Sequence, residues 1–377
     1  MIQFFAPKHG GSAMVAYELT KHLAKLGHDV IVITTDFEFD ENFAKSLETV
    51  KVIPFPYKLN LGGFLVSPSM NKYLKENIDK FDIIHMHNFR TYQNIITHKY
   101  AKKYNIPYVL QAHGSVPRII EKKYLKKTYD ACYGTRLLRD ASSVIAVSNA
   151  EVDQYLQMNV SIEKVKIIPN SIDVDLFSNL PEKGNFKKKH NINEKHMILF
   201  LGRLHEIKGI DFLIKSYAEL IKERTNVILV LAGPDDGYLE RAKSLVEELT
   251  LDEHVKFTGF VNGGEKLAAF VDADVLVYPS IFEIFGLVPL EAIMCGTPVI
   301  VTNDCGCGEI IKEVECGYLI HYGDVAGLDE ALRFALEHPD INRRKVEAGR
   351  EYVEEHLAWE SVMKQVEEMY EGCVRHV

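Results

Sequence analysis

The chain lacks any uninterrupted apolar run of the roughly 18–20 residues that a membrane-crossing helix needs. Its opening, MIQFFAPKHGG, has no charged n-region and no adequate apolar stretch, so it does not read as a signal peptide. The two absences set the expectation of a cytoplasmic protein. Cysteine is scarce, and four of the six cysteines crowd between Cys295 and Cys316. Their spacing, Cys305-Gly306-Cys307 included, fits none of the common zinc pairings, so they read as reduced core or loop thiols. There is no surplus of positive charge: the net charge is −9, which argues against a nucleic-acid partner. No internal repeat or low-complexity tract is visible.

What is present is ordinary for a soluble α/β protein, with 47% hydrophobic and 26% charged residues. A length of 377 residues is enough for about two domains. Charge is unevenly spread. Residues 1–180 hold 22 Lys+Arg against 18 Asp+Glu, and residues 181–377 hold 22 against 35.

Hydrophobic periodicity predicts a strand at Ile2–Ala6, a glycine turn at His9–Ser12, a helix over 13–26 capped by Gly27, and a strand at Val30–Thr34. Further strands are predicted at Ile83–Met86, Tyr108–Gln111, Val144–Val147 and Val165–Ile168. The stretch 171–194, polar and carrying Pro181, Gly184 and three successive lysines, reads as a linker. The pattern then restarts, with strands at Met197–Leu201, Val227–Ala232, Val255–Thr258, Val275–Tyr278 and Pro298–Val301 between helical segments. Strands alternating with helices imply parallel sheets.

The most informative stretch is Tyr278–Ile300, YPSIFEIFGLVPLEAIMCGTPVI. Glu283 and Glu291 stand eight positions apart. Pro289 suits the first position of a helix, which would place Glu291 in its first turn, where the dipole favours a carboxylate. The amides of Phe285, Gly286 and Leu287 and the helix N-terminus would then point into one hole suited to phosphate. A second element is Phe200–Gly209, FLGRLHEIKG. It places Gly202 and Arg203 at a strand end and Lys208 at a helix start, where two cations can clamp a diphosphate. Taken alone, either cation reads as a solvent-facing side chain.

The Glu-x7-Glu element with its Phe-Gly-Leu insert closely resembles the signature of retaining GT-B glycosyltransferases of family 4. The resemblance covers nearly the whole chain. It implies two Rossmann-like doubly wound domains facing across a cleft: an acceptor-binding domain at 1–172 with a returning helix at 358–377, and a nucleotide-sugar domain at 173–357. Family members carry several more residues before the first strand, so the start is expected to lie upstream or the strand to be clipped.

By resemblance, Arg203 and Lys208 stabilise the leaving diphosphate, Glu283 touches the sugar and Glu291 the ribose. Gly11, Gly202, Phe260, Val261, Ile284, Phe285, Gly286 and Leu287 line the donor. Gly259-Phe260-Val261 matches the stretch that holds the nucleobase through its backbone. His113, ending the strand YVLQAH, matches the histidine that contacts the transferred sugar. Gly10, His87 and Asn170 are acceptor-side candidates, with His85 weaker because it reads equally as a packed residue. Asn170 sits in KIIPNSID, where Ser171 replaces the usual glycine of a left-handed turn.

The implied reaction is retaining transfer of a hexosyl-type unit from a UDP- or GDP-sugar. The implied acceptor is a lipid-linked or glycan molecule of cell-surface polysaccharide or glycolipid synthesis. No cofactor is expected beyond the nucleoside diphosphate sugar as co-substrate. No metal is expected, since no Asp-x-Asp of the metal–diphosphate kind stands at the site. Asp235-Asp236 follows Gly233-Pro234 and reads as a turn. The alternatives are an epimerase of the same fold, which should carry further carboxylates in place of this pattern, and a non-enzymatic binding subunit, which should have lost Arg203 or Lys208.

One feature stands outside this pattern. Residues 117–139 carry seven basic residues, Arg118, Lys122, Lys123, Lys126, Lys127, Arg136 and Arg139, against Glu121 and Asp130. Interspersed are Ile119, Ile120, Tyr124, Leu125, Tyr129, Leu137 and Leu138. Such a stretch reads either as an amphipathic helix on the inner face of an anionic membrane or as a solvated helix face.

Overall fold

The computed structural model describes residues 1–118 and 122–375, and divides them between two α/β units. The first unit holds Met1–Ser171 together with the C-terminal helix Trp359–Arg375; the second holds Ile172–Ala358. No helix among the described residues is long and apolar enough to cross a membrane.

In the first unit, β1 (Ile31–Thr35) pairs in parallel with β2 (Lys51–Phe55). A short hairpin follows, β3 (Leu59–Leu61) and β4 (Phe64–Val66). Next come β5 (Ile84–His87), β6 (Tyr108–Gln111), β7 (Ser143–Ala146) and β8 (Val165–Ile167), a parallel sheet in chain order. The strand expected at Ile2–Ala6 is not formed. Met1–Gln3 is nonetheless held between β1 and β5: Ile2 N donates to Ile33 O (3.1 Å), His87 N to Met1 O (2.9 Å) and Thr35 Oγ1 to Gln3 O (2.6 Å). Met1 N also donates to His85 O (2.7 Å), so Met1–Gln3 is tied to both strands, but no ladder continues to the turn Pro7–His9.

Helix Gly11–Lys25 buries Ala13, Ala16, Tyr17, Leu19, Thr20 and Leu23 along one stripe. Leu19 and Leu23 pack with Val109, Ile145, Ile168 and, from the C-terminal helix, Trp359, Val362, Val366 and Met369. His22 stacks on Trp359 at 4.6 Å between ring centres. Burying several such side chains at roughly 1.5–3 kcal/mol each explains why the last helix joins the first unit.

The second unit contains β9 (His196–Leu201), β10 (Val227–Ala232), β11 (Val255–Gly259), β12 (Val275–Tyr278), β13 (Val299–Thr302) and β14 (Tyr318–Ile320). They form one parallel sheet in the order β11-β10-β9-β12-β13-β14. β10, β12 and β13 are buried at every position, as their unbroken apolar runs require in a sheet covered on both faces. The strand order reverses between β9 and β12. At such a point the connections leave in opposite directions and open a crevice at the C-terminal strand ends.

Three local expectations are corrected. The 171–194 stretch is not a free linker. It holds the turn Val174–Phe177 and the helix Asn185–Lys189, with Phe186 buried and Asp272 accepting from the amides of Gly184 and Lys187. The helix of the Glu-x7-Glu element begins at Leu287, so Pro289 is its third residue and Glu291 its fifth, just past the first turn. Gly286, at φ 81°, lets the helix start two residues early, and a proline in the first turn forfeits no intrahelical bond.

The basic stretch is interrupted. Ile119, Ile120 and Glu121 lie outside the described residues. Beyond them run Lys123–Tyr129, a wider turn at Asp130–Gly134, and Thr135–Asp140. Leu137 and Leu138 are core residues, whereas Tyr124 and Leu125 are 89% and 68% exposed. Buried Asp130 anchors the run by accepting from Arg90 Nε and Arg118 Nε (2.8 and 2.7 Å).

Candidate active site

In the second unit, the chain leaves β9 at Gly202 and turns through Glu206–Lys208 into helix Ile210–Ile221. Gly209 sits at φ 67°, and a Cβ there would lie 2.1 Å from Pro279 O. Only glycine lets this turn abut the exit of β12, and Ile207 O accepts from Ile281 N (2.8 Å) across the contact. Two segments 70 residues apart are thereby locked side by side.

The lock brings Lys208 onto Glu283. Lys208 Nζ donates to Glu283 Oε2 and to Tyr278 Oη, both at 2.7 Å, and Tyr278 Oη donates to the same carboxylate oxygen at 2.8 Å. The ammonium also lies 4.7 Å from the Tyr278 ring centre. Lys208 is 7% exposed. Burial pushes the Glu283 carboxyl up, but the Lys208 charge and the hydrogen bonds from Lys208 and Tyr278 outweigh it and hold the group below its ordinary value. Burial, then the Glu283 charge, pushes the Tyr278 hydroxyl well up.

Glu291 is held separately. Its Oε1 accepts from Lys266 Nζ (2.7 Å), on helix Gly263–Asp272. Lys266 escaped the sequence reading, because a lysine 25 residues upstream carries no local signal of its partner. Arg203 does not join Lys208: it is exposed and ion-paired with Asp236. Asp235 accepts from the amides of Gly237, Tyr238 and Leu239 (2.9–3.1 Å), which accounts for the Asp-Asp pair as turn and helix start. The two literal Asp-x-Asp triplets, 173–175 and 272–274, are likewise spent on backbone: Asp173 accepts from Asp175 N, Asp272 from Lys187 N and Asp274 from Met197 N. Phe260 lies exposed after β11, with Val261 buried behind it; Ile284 and Phe285 are buried and anchor the loop that carries Glu283.

The first unit holds a different cluster. His85 and His87 lie on one face of β5, and their rings stack at 4.2 Å between centres. His87 Nδ1 shares a hydrogen bond with His113 Nε2 (3.0 Å), and His85 Nδ1 with Tyr370 Oη (2.6 Å). His113 takes a left-handed conformation, φ 51°, at the end of β6. Burial pushes its pKa down to about 4 and those of His85 and His87 well below 6.5. All three are neutral at pH 7.

Behind them is a residue that sequence reading missed. Glu151 accepts from Gly114 N (2.7 Å) and Val147 N (2.9 Å), tying the His113 turn to the end of β7. Its burial raises its pKa to about 7. Gly10, at φ 82°, opens helix Gly11–Lys25. Ser171 does not adopt a left-handed conformation, so serine in place of glycine causes no strain. Asn170 Oδ1, Ser171 Oγ and His85 Nε2 lack partners among the described residues and border a cavity of about 20 Å³. That is room for one water.

Residues 9–176 match the family model described as Glycosyltransferase Family 4, and residues 182–352 match that of glycosyl transferases group 1. An uncharacterised glycosyltransferase of Methanocaldococcus jannaschii is 30% identical over 96% of this chain and 94% of its own length. The chain belongs to the group 1 glycosyltransferases. A second relative of this glycosyltransferase, the N-acetyl-alpha-D-glucosaminyl L-malate synthase of Bacillus anthracis, is 26% identical over 98% of the chain and 96% of its own. Among solved structures, Anabaena HepE in complex with UDP and glucose superposes with a TM-score of 0.81 at 20% identity, covering 97% of both chains. That likeness gives the fold as GT-B. Within the glycosyltransferase, Lys208 and Glu283 are in contact, Glu291 is paired elsewhere in the same unit, and His87 and His113 form their own pair in the other.

Proposed function

We propose that this glycosyltransferase moves a hexosyl unit from a UDP- or GDP-sugar to a lipid-linked or glycan acceptor, with retention of configuration and without a metal. The observation that carries the reading is the Lys208–Glu283–Tyr278 cluster at the reversal point of the six-stranded sheet. The diphosphate would lie on the first-turn amides of helix Leu287–Met294, which have no partner inside the helix. Lys208 supplies a fixed charge beside it, and Arg203 swings from Asp236. Glu291 takes the ribose hydroxyls, and the backbone at Phe260–Val261 the base. The HepE complex supports trying UDP-sugars first.

As the bond from the anomeric carbon to the diphosphate oxygen breaks, charge develops on that oxygen, and cations and amides already in place stabilise it. The acceptor oxygen bonds to the same face of the carbon, and its proton passes to the leaving phosphate. Neutral His113 is suited to hydrogen-bonding a sugar hydroxyl without adding charge. The contacts on Glu283 leave it a poor nucleophile, since Lys208 and Tyr278 occupy Oε2. A same-fold epimerase is the weaker reading, because Glu283 and Glu291 are each engaged by a lysine.

The lipid-linked acceptor rests on one surface of the first unit. Tyr124 and Leu125 stand exposed beside Lys122, Lys123 and Lys127, and Lys122 Nζ donates to Gly62 O (2.7 Å) in the β3–β4 hairpin. That hairpin adds exposed Leu59 and Leu61. Apolar tips ringed by lysines suit an anionic bilayer, on the cytoplasmic side. The L-malate named for the Bacillus anthracis relative marks the competing case, a small soluble acceptor. A melting panel with UDP-, GDP- and ADP-sugars tests the donor, since a true donor raises Tm by mass action. Release of the matching nucleoside diphosphate that needs added acceptor tests transfer. If no nucleotide sugar shifts Tm, the donor reading is wrong.

A further inference from the structure

Cys305 and Cys307 play no part in the reading above. They flank Gly306 where β13 passes into helix Cys307–Val314. Their sulfurs lie 3.4 Å apart, which is contact distance, so a small side-chain movement reaches the roughly 2.05 Å of a disulfide. The two differ in access. Cys307 is 3% exposed, while Cys305 is half-buried.

They differ in chemistry too. The Cys307 thiol, then Thr302 and the Cys307 amide, stabilise the Cys305 thiolate and bring its pKa down to about 7. Cys307 is pushed well up by the same contact and by burial. Burial also pushes Cys295 up to about 12 and Cys316 up to about 11. A reachable thiolate beside a protonated partner is the arrangement of an attacking and a resolving cysteine.

Both cysteines border the loop that carries Glu283, Cys305 through its sulfur and Cys307 through its Cβ. Cys305 Sγ lies 3.6 Å from Ser280 O and 3.5 Å from Thr302 Oγ1. Cys307 packs directly on Gly286, where a Cβ would come within 2.5 Å of Cys307 Cβ. Closing the 3.4 Å gap to a bond moves the sulfurs by more than about 1 Å in total, within a cluster where Cys305 Sγ rests on Ser280 O and the Cys307 Cβ on Gly286.

We propose that Cys305 and Cys307 form a peroxide-sensitive dithiol whose oxidation to a disulfide shifts the Ser280–Gly286 loop. The Cys305 thiolate attacks one oxygen of hydrogen peroxide; an S–O bond forms, the O–O bond breaks and hydroxide leaves. Cys307 sulfur then attacks Cys305 sulfur, the S–S bond forms, and the hydroxyl departs as water with the Cys307 proton. Two electrons pass from the sulfurs to the peroxide. A dithiol reductant reverses the change. The dithiol chemistry stands on the cysteine geometry alone; its effect on donor binding rests on the proposed function.

The experiment exposes the whole protein to hydrogen peroxide at pH 7, alkylates the remaining thiols and maps cysteine-bearing peptides by fragmentation. The expected product is a Cys305–Cys307 disulfide, lighter by two hydrogens and reversed by dithiothreitol. Hydrogen exchange over 280–287 should change on oxidation and return on reduction. In Cys307→Ala, Cys305 should stop at a sulfenic acid that dimedone traps; Cys305→Ser should form neither. Free Cys305 and Cys307 after peroxide treatment, or identical exchange over 280–287 in both forms, would overturn the proposal. UDP binding is read in parallel, with a loss of about tenfold or more expected on oxidation. A disulfide and loop shift that leave UDP binding unchanged uphold the dithiol and count against the donor reading.

Discussion

The two polar clusters occupy matching places and solve opposite electrostatic problems. Each lies at the C-terminal ends of parallel strands, Lys208–Glu283–Tyr278 after β9 and β12, His85–His87–His113 on β5 and after β6. In the second unit, pairing offsets burial, so the Glu283 carboxyl is held below its ordinary value. In the first, burial is not offset, and three imidazoles are held neutral. A diphosphate leaving group calls for the first solution, because its developing charge needs permanent cations. Sugar hydroxyls are served by the second, because neutral imidazoles give and take hydrogen bonds without a field.

The sharpest way to break this comparison is to remove the paired cation. Lys208→Ala should lower turnover by about 10²–10³, the scale of losing one charge-stabilising donor, and should leave Glu283 without its counter-charge. Arg203→Ala should also lower transfer, but by less, since Arg203 is exposed and must leave Asp236 to act. Near wild-type turnover in Lys208→Ala would remove the cluster from the mechanism.

Next come the two carboxylates. Glu283→Ala should reduce kcat if, as proposed, Glu283 holds the sugar, which changes in the transition state. Glu291→Ala should raise KM for the donor, because the ribose does not. Lys266→Ala should reproduce part of the Glu291→Ala effect, about five- to tenfold in KM, the scale of one net hydrogen bond of roughly 1–1.5 kcal/mol. The reverse split between kcat and KM would exchange the assigned roles.

The neutral cluster predicts a pH effect on stability. A histidine whose folded pKa is depressed adds stability that is present above its unfolded value near 6.5 and is lost as pH falls toward the folded value. For His113, with a folded value of about 4, the window runs from about 6.5 down to 4. At pH 5.5 the loss is on the order of 1 kcal/mol for this residue. The fall in Tm between pH 7.5 and 5.5 should therefore be smaller in His113→Gln than in the parent. Equal falls would show that His113 charges without penalty.

The smallest effects concern the surroundings. Activity should survive EDTA if, as proposed, the cations that face the diphosphate are side chains; loss restored by Mn²⁺ or Mg²⁺ would reveal a metal site. Co-sedimentation with anionic vesicles should be detectable at low salt and lost at high salt, at about 1 kcal/mol per engaged lysine. A triple Leu61→Ser, Tyr124→Ser, Leu125→Ser variant should weaken it further. Indifference to vesicles at low salt would favour a soluble acceptor.

How much of this was legible beforehand depended on range. Apolar runs such as Val227–Ala232 and Val275–Tyr278 marked their strands to the residue, because a buried parallel strand must be apolar along its length. Glu283, Lys208 and their strand–loop–helix settings were readable because motif spacing is local. The segment after Met1 misled for the same reason: its apolarity is that of a strand, but its bonds to the neighbouring strands end at Gln3, before the turn at Pro7. The basic stretch misled through Leu137 and Leu138, whose flanking Arg136 and Arg139 hid that they belong to the core.

The amino-acid sequence by itself determined the alternation of strands and helices, the glycines at sharp turns and the family signature, all products of patterns within about a dozen residues. Tertiary structure alone decided the partners. Lys266 meets Glu291, Glu151 holds the His113 turn from 37 residues away, Asp236 claims Arg203, and Cys307 rests on Gly286. Each of these contacts depends on strand order and on where a crossover returns. A charge or a thiol has the same letter whether it faces water or a neighbour, so only the packed sheet can say which residues it meets.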